Sequence, residues 1–143
     1  MTEPLTLISF DYGEKRIGVA VGQTLTNTAT PLDTIHVSNG AIDWDSITRI
    51  LKQWHPQALV VGEPLNTDGS PQAVTNQCNH FVRELMSRFE LPVYRIDERL
   101  STYEAKSRLK ATRNLDAVAA QAILETWLSN RADSVEHVEA NNH

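Results

Sequence analysis

Five acidic residues stand where strands and helices could bring them together: Asp11, Glu63, Asp97, Glu98 and Asp116. Asp11 follows the apolar run Leu7 to Phe10, Glu63 follows Ala58 to Val61, and Asp97 and Glu98 follow Leu91 to Ile96. Asp116 opens an alanine-rich helical stretch in which Ala117, Ala119 and Ala120 would allow close approach to a sheet. Carboxylates at strand ends and a helix start, on one side of a sheet, form the hard oxygen donor set that Mg2+ or Mn2+ prefers. Two such ions about 4 Å apart activate a water and stabilise the leaving oxygen in phosphodiester hydrolysis. Three carboxylates converging without a cation repel one another and lose solvation, so their convergence itself implies one. Singly, each has a plainer reading: Asp116 as a charge at a helix N-terminus, Asp97 as part of a surface turn, Glu63 as a solvated loop carboxylate. The chemistry belongs to the set.

Cations flank these acids. Lys15 and Arg16 beside Asp11, and Arg99 beside Glu98, either hold phosphate or pair with the neighbouring carboxylates. From Arg95 to Arg113 six basic residues, Lys106 and Arg113 among them, face three acidic ones. That run is a phosphate-binding patch or simply a solvated helix face. The five histidines show no ligand spacing, which argues against zinc. Cys78 falls on a helical stripe and reads as core filler.

The elements that must position the acids follow from periodicity. Leu5 to Phe10, Ile17 to Val21 and Leu32 to Val37 read as three strands joined by short loops, an antiparallel meander. Gly13, next to the first strand, leaves open space and permits a tight turn. An amphipathic helix from about Asp43 to Trp54 presents Trp44, Ile47, Ile50, Leu51 and Trp54 on one face. Ala58 to Val61 is a short, wholly apolar strand with both faces covered. Ser70-Pro71 opens a helix striped by Val74, Cys78, Phe81, Val82 and Leu85. Leu91 to Ile96 is a further strand, Ser101 to Glu104 a capping box for a short basic helix, and Leu115 to Leu128 the last helix. The order β-β-β-α-β-α-β-α-α builds an α/β fold: a mixed five-stranded sheet, order 3-2-1-4-5 with strand 2 antiparallel, and helices on both faces. By analogy to a known fold, this order resembles the RNase H-like arrangement.

At 143 residues the chain holds one domain, residues 1–130, followed by a polar, aperiodic tail, 131–143, expected to be disordered. No apolar run reaches the roughly 20 residues of a membrane span, and the start lacks the features of a signal peptide. A single cysteine fits a reducing compartment, so the expected location is cytoplasmic, with no membrane partner. The net charge of −5 excludes indiscriminate coating of nucleic acid; any contact must come from a local patch.

Four segments then resemble one family. Phe10 to Gly22 (FDYGEKRIGVAVG), Val60 to Gly69 (VVGEPLNTDG), Asp97 to Thr102 (DERLST) and Asp116 to Ala120 (DAVAA) are similar, in order and spacing, to the motifs of the YqgF family, also called RuvX. The resemblance runs from Leu7 to Leu128. It implies an RNase H-like fold, catalytic and metal-binding acids at Asp11, Glu98 and Asp116, with Asp97 and Glu63 as further candidate ligands, and Mg2+ or Mn2+. The family is associated with maturing the 5′ end of 16S rRNA during ribosome biogenesis, and was first linked to Holliday junctions through RuvC-type resolvases. The implied partners are thus an RNA precursor, with a DNA junction as the alternative, and ribosome-assembly particles. The expected oligomeric state is a monomer or weak homodimer. Two positions depart from the family pattern: Glu63 stands where an apolar residue is usual, and 110–115 is shorter than the usual basic, glycine-containing loop.

Two other classes compete. Asp11-Tyr12-Gly13 with Lys15 also resembles the first phosphate loop of actin-like and sugar-kinase ATPases, but those folds duplicate the domain and this chain has no second copy. A non-catalytic ribosome-assembly module would carry the same acids without using them.

Overall fold

In the computed structural model, residues 5–63, 73–97 and 115–130 are described, without the side chains at positions 63, 73, 74, 97, 115, 116 and 130. The elements are β1 (Thr6–Asp11), β2 (Arg16–Gln23), β3 (Thr28–Ser38), β4 (Ala41–Ile42), α1 (Trp44–Trp54), β5 (Ala58–Glu63), α2 (Ala73–Phe89), β6 (Val93–Asp97) and α3 (Leu115–Asn130). The expected Ser70-Pro71 helix start, the short basic helix and the tail 131–143 lie outside the described residues.

The sheet order is β4-β3-β2-β1-β5-β6. β1 pairs antiparallel with β2 and parallel with β5, which in turn pairs parallel with β6. The sequence-based order is therefore found, with one strand added. The extra β4 is two residues long and folds back on β3 through Asn39-Gly40, both at positive φ (53° and 80°). Asn-Gly at a two-residue loop is the residue pair a tight hairpin demands, because both positions need φ above zero. That signal was present in the sequence.

The pleat of β1 divides the core. Ile8 and Phe10 join α1 and α2 in one apolar cluster, with Ile17, Val19 and Val21 of β2 and Leu59 and Val61 of β5. Leu7 faces the other way, into a cluster with Ala58, Val60, Ile123, Leu124, Trp127 and Leu128. Cys78 is buried with its Sγ 3.8 Å from the Gly62 carbonyl oxygen, as befits core filler. Trp54, expected on the buried stripe of α1, is 36% exposed at the helix's last residue.

Helix α1 is fixed at both ends. Asp43 accepts from the Ser46 amide (3.2 Å) and hydroxyl (2.7 Å), and His55 closes the C-terminus in the left-handed region with its N–H on Leu51 O at 2.8 Å. Those hydrogen bonds hold the Asp43 carboxyl below its ordinary value. A depressed pKa contributes stability above the unfolded carboxylate value, near 4, and loses it as pH falls through the folded pKa. Asp43→Ala is therefore expected to lower the melting temperature at pH 7, and the gap to the parent should close below pH 4. Thermal melts at the two pH values check this.

Small residues seat α3. The β2 positions opposite Leu7, Ser9 and Asp11 are Gly22, Ala20 and Gly18, and on the helix Ala117 and Ala120 are fully buried. A Cβ at Gly22 would lie 2.7 Å from the Thr28 carbonyl oxygen and 2.8 Å from Leu124 Cδ2. One of these obstacles is backbone and cannot yield cheaply. Gly22→Ala should thus cost about 1–3 kcal/mol through overpacking, measured by urea denaturation; a loss below about 0.5 kcal/mol would mean that α3 floats on the sheet.

Candidate active site

Asp11 is the last residue of β1 and is half-buried. It has the phase of Leu7 and Ser9, and so faces α3. Ser9, fully buried, donates from its Oγ to the Ala120 carbonyl oxygen at 2.7 Å, pinning helix to strand. Because Leu7 meets Leu124 and Leu128 while Ser9 meets Ala120, α3 runs antiparallel to β1. Position 116 lies one turn beyond Ala120, about 6 Å along the helix axis. Asp11 lies two residues beyond Ser9, about 6.6 Å along the strand. The start of α3 and the end of β1 are thereby brought to one end of the molecule, on one face of the sheet.

The other parallel strands finish at the same level. Asp11 is in register with Gly62, and Glu63 with Asp97. On its other side Asp11 pairs with Gly18. Glycine therefore stands in register with Asp11 on both neighbouring strands. Gly18, Gly62 and the buried Ser9 are contributors that reading the acids alone overlooks. A lone serine in an apolar strand, and glycines at equivalent heights in two others, were the signals.

The remaining candidates divide. Lys15 in the β1–β2 connection and Arg16 at the start of β2 are both exposed, at the end where Asp11 sits. The connection is tied down by Val37 N donating to Lys15 O at 2.9 Å. Its tightness has a different cause from the one expected: the space beside Gly13 is not open, for a Cβ there would come within 2.6 Å of the Arg16 carbonyl oxygen. Tyr12, one residue past Asp11, turns to the opposite face and is buried among Phe10, Trp44 and Phe81. Burial pushes its phenol above the usual value, with Cys78 and Glu14 adding to the effect, so it remains a neutral hydroxyl. Glu98, Arg99, Lys106 and Arg113 lie outside the described residues. Among the described residues no group of three His, Cys, Asp or Glu side chains is placed to hold a metal, and no helix is long and apolar enough to cross a membrane.

Known proteins share this plan. A family model described as "RuvX: Holliday junction resolvase" matches residues 5–130. A protein of Azotobacter vinelandii named "Putative pre-16S rRNA nuclease" is 44% identical over 92% of this chain and 98% of its own length. A protein of Hydrogenovibrio crunogenus with the same name is 46% identical over 90% of this chain and 98% of its own. Among solved structures, Thermus thermophilus RuvC in complex with a Holliday junction substrate superposes with a TM-score of 0.60 at 17% identity, covering 92% of this chain and 98% of that one. A Fowlpox virus resolvase in complex with Holliday junction DNA reaches 0.53 at 14% identity, covering 89% and 99%. At such identities the structural likeness establishes the RNase H-like fold of the resolvases and nothing finer.

Proposed function

We propose, since the chain belongs to the RuvX family, that this nuclease is divalent-metal-dependent and hydrolyses a phosphodiester in the 5′ region of pre-16S rRNA. The observation that carries the reading is the meeting of the β1 end and the α3 start, which gives Asp11 and Asp116 a common neighbourhood. The residues fit a metal: the donors are hard carboxylate oxygens, and glycine is in register with the first of them on both neighbouring strands. Asp11, Glu98 and Asp116 would hold Mg2+ or Mn2+. When bound, such ions supply an activated water and neutralise charge on the leaving oxygen.

Glu98 is the third ligand in this reading, with Asp97 and Glu63 as further candidates. Lys15 and Arg16, at the rim, would orient the nucleic-acid backbone through phosphate contacts, and Arg99, Lys106 and Arg113 would extend that track. An RNA-precursor substrate, ribosome-assembly particles as surroundings and one unbridged cysteine accord with a cytoplasmic protein.

The family description favours a second reading, cleavage of a Holliday junction. Paired cuts in a four-way junction need two copies related by symmetry, whereas the RNA reaction needs only a monomer. Purified protein should be given precursor 16S rRNA and a synthetic junction in parallel, with and without Mn2+. Metal-dependent cleavage of the RNA alone supports the proposal. Cleavage of the junction alone replaces it with the second reading, and cleavage of neither removes both.

A further inference from the structure

On the opposite side of β1 from the Asp11 carboxylate lies a cavity of about 450 Å3, within the roughly 300–1,000 Å3 range of small-ligand sites. Tyr12, Phe81 and Ile42 form its apolar walls, and Asn76, Gln77 and His80 of α2 stand at its rim. These last three are exposed. Glu14 also lines it, and no Lys or Arg is among the described residues that do. This composition selects against phosphate. A carboxylate at the mouth repels an anion, and no Lys or Arg among the described lining residues offsets it. The site instead suits a flat, neutral, largely apolar group with donors and acceptors along its edge. Each carboxamide offers both a donor pair and an acceptor, the set that reads base edges.

Position in the chain adds the second argument. Asp11 and Tyr12 are consecutive, about 3.8 Å apart at Cα, yet on opposite faces of the strand. A nucleotide strand crossing the end of the sheet would keep its backbone near Asp11, Lys15 and Arg16 while an adjacent base turned over the edge beside Tyr12. We infer that this cavity receives one unpaired nucleobase flanking the cleavage position, its faces against the Tyr12 and Ile42 walls and its edge read by Asn76 and Gln77. The inference rests on the nuclease reading and sharpens it to a substrate single-stranded at the cut, because a base must leave its pair and its stack before it can turn into a cavity.

The test is made without metal, so that binding is separated from chemistry. A single-stranded RNA oligonucleotide carrying 2-aminopurine is titrated with the full-length protein in EDTA, beside a DNA oligonucleotide of the same sequence and an RNA duplex. Asn76→Ala/Gln77→Ala is compared with the parent; both positions are exposed on a helix, where alanine is well tolerated. The expected result is a change in 2-aminopurine emission on binding the parent, and about tenfold weaker single-strand affinity in the double variant. Equal loss with the RNA and DNA strands places recognition on the base itself; a greater loss with RNA adds a ribose contact to the same subsite. Unchanged single-strand affinity, a loss as large for duplex as for single strand, or no single-strand binding by the parent would overturn the subsite. Failure to cleave either substrate in the metal-dependent assay would instead sink the nuclease reading.

Discussion

Asp11→Asn is expected to abolish metal-dependent cleavage, lowering the rate on the order of 10³-fold, about 4 kcal/mol of transition-state stabilisation. The substitution keeps size and shape but removes the charge that a divalent ion requires. Asp11 ends the central strand, with backbone pairing to Gly18 and Gly62 on its two sides, so the strand should form without the carboxylate. Far-UV circular dichroism of the variant should match the parent. A binding readout separates a lost ligand from a damaged fold. A ligand that binds only the native state stabilises it by RT ln(1 + [L]/Kd), about 2.7 kcal/mol at a hundredfold excess over Kd. Mn2+ should therefore raise the parent's melting temperature by several degrees and the variant's far less. A variant that matures precursor rRNA as well as the parent would turn the protein into a non-catalytic assembly module.

How far the sequence reached depended on the kind of signal. Strand order was legible because each strand had a readable apolar run and the connections were short, so few topologies were left. The missed β4 depended on one dipeptide, Asn39-Gly40, rather than on a run of side chains. Asp11 and Asp116 were legible as acids bounding elements. Their convergence was expected from the order of elements, but what brings the end of β1 and the start of α3 together was not legible: the seating of α3, set by the sizes of Gly22, Ala117 and Ala120 and by one buried hydrogen bond from Ser9. Those residues carry no charge and fit no chemical motif, so a search for chemistry passes over them. The cavity beside Tyr12 was hidden for a similar reason: Ile42 and the Asn76-Gln77 pair are far apart in sequence and meet only through the β3–β4 hairpin and α2.

Phe81→Ala should produce the largest stability loss, about 3–5 kcal/mol, a large part of the 5–15 kcal/mol typical of whole domains. Phe81 is fully buried and is the ring on which three others meet. Phe10 stands edge-on at 5.5 Å, Tyr12 is tilted at 5.3 Å and Trp44 stacks at 5.7 Å between centroids. Truncation leaves a cavity that β1, α1 and α2 would all have to move to fill. Urea denaturation should show a lower midpoint with an unchanged slope, the mark of lost stability rather than an altered unfolded state. A loss under 1 kcal/mol would mean that the helices close over the gap and that Tyr12 is not held by this cluster. Combining Phe81→Ala with Gly22→Ala tests the division of the core. Phe81 and the Leu124 that Gly22 abuts belong to clusters on opposite faces of the sheet, with no residue in common. Their costs should therefore add to within about 0.5 kcal/mol. A larger discrepancy would show that β1 transmits strain between its faces, and with it that the Asp11 side of the site and the Tyr12 cavity are mechanically one.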